Sequence, residues 1–254
     1  MSDFSGLPLN PALHQGITAA EYLEMTPVQA ASLPAILAGR DVIAQAKTGS
    51  GKTAAFALGL LAAIDAASIQ LQGLVLCPTR ELADQVSKEI RRLARFIPNV
   101  KVLTLCGGIP LRPHLASLTH EPHLVVGTPG RILELLQKGA LPLAGVRVLV
   151  LDEADRMLDM GFSEDIHAIT AEIPRKRQPL LFSATYNDAV REISRQFQRD
   201  ALDVSVTATL STEEVGQLFF AVDEARKFDT LNDLLVQHRP ESALVFCNTR
   251  HAVR

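Results

Sequence analysis

Eight consecutive residues, Ala46-Lys47-Thr48-Gly49-Ser50-Gly51-Lys52-Thr53, have the types and the spacing to hold a chain of phosphates. They follow the apolar run Val42-Ile43-Ala44 and precede the helical-looking segment from Ala54 to Leu61, so the order is strand, glycine-rich turn, helix. The first N–H groups of a helix lack intrahelical partners and converge just beyond its start, where they bind phosphate oxygens. Gly49 and Gly51 permit the close wrap, Lys52 adds a point charge for the outer phosphates, and the Thr53 hydroxyl is placed to ligate Mg²⁺. Ala46 stands where such a loop usually has its first glycine, and it is small enough to leave the Gly-Lys-Thr end intact. Far downstream the strand-like run Val148-Leu149-Val150-Leu151 ends in Asp152-Glu153-Ala154-Asp155. A carboxylate at the C-terminal end of a buried strand is where a phosphate-loop fold needs its second Mg²⁺ ligand, the part of Asp152, and Glu153 beside it can orient an attacking water.

Other residues on strand-to-helix junctions could meet a base or a phosphodiester. A glutamine amide donates to and accepts from an adenine edge and an aromatic ring stacks on the base, so Tyr22 and Gln29 are the parts of an adenine reader. On residue types alone they read also as a core and a surface residue. The strand Leu74-Val75-Leu76-Cys77 leads through Pro78-Thr79-Arg80-Glu81 into a helix with Leu82, Val86, Ile90 and Leu93 at helical spacing. Thr79 and Arg80 sit where free N–H groups and a guanidinium can take a phosphate, or where a plain capped helix carries a solvated arginine. A strand from Val100 to Cys106 runs into Gly107-Gly108, and another from His123 to Gly127 runs into Thr128-Pro129-Gly130-Arg131, where Thr128 can cap the helix that Pro129 starts. Two helix N-termini on one edge of a parallel sheet can bind successive phosphates of a single strand without reading its sequence. Ser183 and Thr185 follow the strand Leu180-Leu181-Phe182, where hydroxyls can also satisfy local backbone groups.

Taken together, the phosphate loop, Asp152-Glu153-Ala154-Asp155 and the junction motifs resemble the DEAD-box RNA helicases over nearly the whole chain. The string from Leu76 to Val86 is most similar to bacterial members that act on rRNA. The resemblance implies a three-layer RecA-like α/β P-loop domain with a mainly parallel β-sheet. It implies ATP hydrolysis with Mg²⁺, coupled to RNA binding and local duplex unwinding. Thr26-Pro27-Val28-Gln29 matches the family's Q motif, with Tyr22 as its stacking aromatic and Phe4 at the upstream aromatic position; Glu21 and Met25 depart from the usual glycine and proline. By the same resemblance Pro78, Thr79, Arg80, Gly107, Gly108, Thr128 and Arg131 contact the RNA backbone, and Asp155, Ser183 and Thr185 couple nucleotide status to RNA binding.

With 254 residues, 47% of them hydrophobic, the chain has length for one large domain, or for one domain and part of another. A net charge of −3 excludes a grip on nucleic acid by bulk charge, so any such contact must be local. The basic runs Arg91-Arg92 and Arg175-Lys176-Arg177 read as solvated surface, the second able to add long-range attraction. Cys77, Cys106 and Cys247 each follow an apolar run without metal-ligand spacing, which predicts reduced core thiols in a cytoplasmic protein. His120 and His123 read as loop residues rather than zinc ligands. The start Met1-Ser2-Asp3-Phe4 has no secretory pattern, and the longest apolar run, Ala54 to Ile64, is too short to span a bilayer, so no membrane partner is expected.

The expected division is a RecA-like ATP-binding domain over 1–206, a polar linker over 207–215, and over 216–254 the opening of a second such domain. That opening reads as strands at Leu218–Val222 and Ala243–Cys247 about a helix through Leu231, Leu234 and Leu235, with Asn248-Thr249-Arg250 resembling the end of a family motif. In the family the second domain supplies arginines to the transferring phosphoryl group, an effect worth ~10³ to 10⁵ in rate. Those motifs do not occur in the sequence, so the expectation is an ATP- and RNA-binding half with very weak turnover and the second RecA-like domain as its partner in cis. The alternative is a nucleotide-responsive RNA- or protein-binding module with no enzymatic role.

Overall fold

The computed structural model describes residues 3–206, 216 and 218–247. It divides into two compact units, Met1–Ala208 and Thr209–Arg254. Residues 207–215, expected as a linker, and Asn248-Thr249-Arg250 lie outside the described residues.

In the first unit seven strands form one parallel sheet: β1 Val42–Gln45, β2 Gly73–Leu76, β3 Val102–Leu105, β4 Leu124–Gly127, β5 Val148–Leu151, β6 Gln178–Ser183 and β7 Leu202–Ser205. Their spatial order is β3-β4-β2-β5-β6-β1-β7, every pairing parallel. The strands read as unbroken apolar runs because the sheet is covered on both faces. Alternate residues serve opposite cores: Val75, Val148 and Val150 join one apolar cluster, while Leu74, Leu76, Leu149 and Leu151 join the other. The first cluster is closed by helices α1 Pro11–Ala19, α2 Pro27–Leu37, α3 Lys52–Ala63 and α4 Arg80–Leu93. On the other face, beyond α5 Leu111–Leu118, lie α6 Pro129–Gln137, α7 Ala154–Asp159, α8 Ser163–Ala171 and α9 Asp188–Phe197. The expected three-layer α/β fold with a parallel sheet is the observed one, and each phosphate-facing junction lies at a strand's C-terminal end.

The sheet order decides which junctions meet. Neighbouring β5, β6 and β1 deliver Asp152, Ser183 and Ala46 side by side, whereas β3, β4 and β2 deliver Gly107, Thr128 and Cys77-Pro78-Thr79. One half of the edge therefore holds the phosphate loop and the carboxylates, and the other half the paired helix starts.

In the second unit, helix α10 Lys227–His238 forms as read, but Leu218–Val222 and Ala243–Cys247 form no strand. A strand's backbone groups need a neighbouring strand, and the described residues of this unit build no ladder. No side chain of α10 is buried, and Cys247, expected in a core, is exposed. Cys77 and Cys106 are buried as expected.

Candidate active site

The phosphate loop leaves the sheet beside β6, where the Ala46 amide donates to the Ser183 carbonyl at 3.0 Å. Gly49 (φ 83°) and Gly51 (φ 93°) are left-handed, a conformation that costs other residues about 1–2 kcal/mol. A Cβ on Gly51 would also lie 2.6 Å from Gln29 Nε2 and 2.8 Å from Thr26 Oγ1. Gln29 is buried and braces the loop: its Oε1 accepts from the Thr26 amide at 2.9 Å and its Nε2 donates to the Gly51 carbonyl at 3.1 Å. That leaves one amide proton and one lone pair for a base. Lys52 is buried too, and its Nζ donates back to the Ala46 carbonyl at 2.7 Å, spanning the loop. Lys47 is exposed, Thr53 is half-buried on the cleft wall, and Ser50 Oγ is buried with no partner among the described residues.

Opposite the loop stand the carboxylates that follow β5. Burial pushes the Asp152 carboxyl up to about 7; Lys52 opposes the shift, and Glu153 and then Asp155 add to it. Glu153 adopts left-handed backbone (φ 52°, ψ 52°), and Arg156 Nη1 holds its Oε2 at 2.7 Å while Thr48 Oγ1 reaches its Oε1 at 3.4 Å. The strained turn and the two contacts fix the direction of the carboxylate. Asp155 works on the next strand over: its Oδ2 accepts from the Thr185 amide at 2.9 Å and hydroxyl at 2.8 Å, and its own amide donates to Ser183 Oγ at 3.3 Å. Burial pushes the Asp155 carboxyl up, but the hydrogen bonds from Thr185 and Ser183 outweigh it and hold the group below its ordinary value.

Loop and carboxylates line one cleft of about 420 Å³, together with Tyr22, Thr26, Gln29, Gln85 and Glu89. Tyr22 is fixed by donating its hydroxyl to Glu89 Oε1 at 2.7 Å, with the Arg92 guanidinium 5.7 Å from its ring centre. Burial, then the hydrogen bond to Glu89, raises the Tyr22 hydroxyl above its usual pKa. Phe4, 6.2 Å from the Tyr22 ring, is buried in the apolar cluster and backs Tyr22 rather than lining the cleft. Thr53, Asp152 and Glu153 offer oxygen ligands only, and no group of three His, Cys, Asp or Glu side chains is placed to hold a metal among the described residues. A hard cation that takes its remaining ligands from water and phosphate oxygens fits this set, and Mg²⁺ is such a cation.

Along the other half of the edge, Thr79 caps α4 by accepting from the Leu82 amide at 3.3 Å, Pro78 is buried, and Arg80 is exposed 4.0 Å from Asp84. Thr128 Oγ1 accepts from the Gly107 amide at 3.1 Å, tying the glycine pair to the start of α6, and Gly108 is exposed at φ 79°. Arg131 is placed differently from the expected surface contact. It is buried; its Nη1 meets His114 Nδ1 at 2.6 Å, its Nη2 donates to the Ile109 carbonyl at 2.7 Å, and its Nε lies 3.0 Å from Glu134 Oε2 as an ion pair without hydrogen-bond alignment. Its guanidinium thus braces the turn after Gly108. Burial, then the Arg131 charge, depresses the pKa of His114.

The sequence profile of DEAD/DEAH box helicases matches residues 26–193, the span from the Gln29 brace through the carboxylates to α9. The chain belongs to this helicase family. It is 55% identical over 251 residues to the ATP-dependent RNA helicase DbpA of Escherichia coli, and 42% identical over 254 residues to the DEAD-box ATP-dependent RNA helicase CshA of Bacillus cereus. These alignments cover 98% and 100% of the chain but 55% and 48% of the relatives, so the chain spans about half the length of the curated relatives it matches. Among solved structures, a DEAD box protein from Methanococcus jannaschii matches with TM-score 0.78 and 33% identity over 99% of this chain and 68% of that one. Saccharomyces cerevisiae Dbp5 bound to RNA and ADP BeF3 matches with TM-score 0.84 and 29% identity over 99% of this chain and 64% of that one.

Three side chains that organise this helicase-family site escaped sequence reasoning, Glu89, His114 and Arg156, and Arg92, read as solvated surface, instead donates to the Ala20 carbonyl and lies over the Tyr22 ring. Arg156 lies three residues from Glu153, a spacing that signals a helical ion pair. His114 has no such signal, because it meets Arg131 only through tertiary folding. No helix among the described residues is long and apolar enough to cross a membrane.

Proposed function

We propose that the chain is the ATP- and RNA-binding half of an ATP-dependent RNA helicase, with a RecA-like domain over 1–206, a linker over 207–215 and the opening of a second such domain over 216–254. The observation that carries this reading is the convergence of Lys52, Asp152 and Glu153 on one cleft while Asp155 is tied to Ser183 and Thr185. Backbone N–H groups at the start of α3 bind the β and γ phosphates, and the Lys52 ammonium exchanges the Ala46 carbonyl for phosphate oxygens. Thr53 and Asp152 would hold Mg²⁺, which would supply charge neutralisation at the phosphate oxygens. The Glu153 carboxylate accepts a hydrogen bond from the attacking water and aims it. Tyr22 stacks on adenine, and Gln29 offers its remaining donor and acceptor to the base edge.

RNA lies across the starts of α4 and α6 with its phosphates on backbone donors, and Arg131 acts as a positioning residue for Gly107 and Gly108. Asp155 reports the state of the cleft to the β6 end through its bonds to Ser183 and Thr185. No arginine lines the cleft among the described residues, and Arg156 is committed to Glu153, so slow turnover is expected of this chain. A second RecA-like domain acting in cis would supply the missing cation. The resemblance of Leu76 to Val86 to rRNA-directed members supports rRNA as the target, and with it a role in ribosome biogenesis in the cytoplasm.

The test measures ATP turnover with and without single-stranded RNA beside fluorescent-nucleotide binding, for the wild type and Glu153→Gln. Nucleotide binding with slow turnover that Glu153→Gln abolishes is the expected result. Residual turnover that Glu153→Gln leaves unchanged would reduce the chain to a nucleotide-responsive binding module.

A further inference from the structure

Seven cations gather at the end of the sheet opposite the candidate active site. Arg40 precedes β1, Arg147 precedes β5, and Arg175-Lys176-Arg177 precede β6. Arg195 and Arg199 come from the end of α9 and the turn after it. Because all strands run parallel, these positions share the N-terminal edge, separated from the C-terminal edge by the strands themselves at ~3.3 Å per residue. None of the seven is in an ion pair among the described residues.

They also shape concave surface rather than scatter over it. A cavity of about 620 Å³ is lined by Arg175, Arg177, Arg195, Arg199 and His167 and by no carboxylate. An adjoining one of about 340 Å³ adds Arg40 and Lys176, with Asp41 and Asp200 as its only acids. Arg177 lines both and is preorganised: its Nη1 donates to the Pro174 carbonyl at 3.0 Å, and its Nε is buried with no partner among the described residues. Asp41 sits within this cluster, accepting from the Arg199 amide at 2.6 Å and placing its charge near Arg199 and Arg177, so it offsets part of the positive charge of the smaller cavity and none of the lining of the larger. In a chain of net charge −3, four arginines outside any ion pair among the described residues, around one carboxylate-free cavity, mark a site for a polyanion.

We infer that this edge is a second RNA-binding surface, which takes the phosphate backbone of RNA flanking the strand held at the opposite edge. Rigid guanidiniums suit phosphodiester oxygens, and the only aromatic rings in these cavities, Phe197 and His167, lie 5.1 Å apart against each other, which fits contacts to backbone rather than to stacked bases. The inference rests on the RNA-binding reading above and extends it to a surface that neither the phosphate loop nor the helix starts can serve.

The test uses the whole chain with Arg175→Gln, Lys176→Gln and Arg195→Gln combined, three exposed side chains outside the candidate active site. Fluorescence anisotropy follows single-stranded RNA of ~6 nucleotides, enough for one edge, and of ~40 nucleotides, enough to pass round the domain. For the long RNA the variant binds about tenfold more weakly at low salt, and its plot of log affinity against log salt is shallower by about 2. For the short RNA the variant binds as the wild type does. Unchanged long-RNA binding would overturn the inference, as would equal weakening of both lengths, which would mean a general field rather than a site. Displacement of the long RNA from the wild type by equimolar tripolyphosphate would also overturn it, by assigning the cavity to a small anion. Failure of the wild type to bind the short RNA would sink the RNA-binding reading itself, and the two failures are distinguishable.

Discussion

Burial holds the Asp152 carboxyl at about 7 against an ordinary value of 3.8, so at neutral pH the folded chain keeps a proton that the unfolded chain releases. Between these values the native state binds more protons than the unfolded one, and stability falls as pH rises through the window. Above pH 7 the cost is on the order of a few kcal/mol, since each unit corresponds to about 1.4 kcal/mol. Asp155 has the opposite sign: its depressed pKa adds stability at neutral pH that is lost as pH falls through the folded value. Asp152→Asn removes the first effect and keeps the oxygen that accepts from the Glu153 amide. Without nucleotide, this variant is predicted to melt several degrees above the wild type at pH 8, with the gap closing toward pH 5, at about 2–4 °C per kcal/mol for a chain of this size. Thermal melts across pH decide it; a variant that melts lower at pH 8, or a gap that ignores pH, is the contrary outcome. The candidate ligand that makes the cleft chemically useful is thus a residue that burial makes costly to fold.

Helix α1 shows how closely the elements around the cleft are set. A Cβ on Gly16 would lie 2.1 Å from the Leu93 carbonyl oxygen, a backbone atom at the end of α4. Gly16→Ala must lift α1 from α4, and it disturbs Arg92, which donates to the Ala20 carbonyl and lies over Tyr22. The predicted cost is roughly 2–3 kcal/mol in urea unfolding, an overpacking penalty, with weaker nucleotide binding. Gly6→Ala, with nothing within 4 Å, is the control that leaves both unchanged; equal behaviour of the two would refute the close docking. Nothing in the sequence marks Gly16, because its neighbour is distant in the chain. The same limit separates the legible parts of the fold from the rest. β2, β4 and β5 were readable because covered strands are unbroken apolar runs, and the loop and carboxylates because their chemistry fixes local spacing. The braces made by Gln29 and Arg131 were not, since residue type announces a hydrogen-bonding capacity while the fold selects its partner. Leu218–Val222 and Ala243–Cys247 carry strand-like composition, yet composition cannot supply the neighbour that a ladder requires.

Across the whole chain, apolar burial is distributed unequally between the two units. Both apolar clusters are built from residues between Phe4 and Val206. The second unit leaves Phe219 90%, Phe228 75%, Leu244 80% and Phe246 88% exposed. Units below roughly 70 residues seldom bury enough surface to hold a fold, and contiguous exposed apolar groups bind hydrophobic dyes and promote association. Stability of the first unit therefore belongs to its own two cores. A chain ended at Ala208 is predicted to melt within about 2 °C of the full chain, because at this size even 1 kcal/mol moves the midpoint by about 2–4 °C. The shortened chain is also predicted to lose most dye binding and any concentration-dependent association that the full chain shows. Phe219→Ser combined with Phe246→Ser in the full chain should lower dye binding without moving the midpoint. A fall of more than about 5 °C on shortening, well over 1 kcal/mol by the same scale, would mean that the second unit contributes to the core of the first and that the division at Ala208 is not an energetic one.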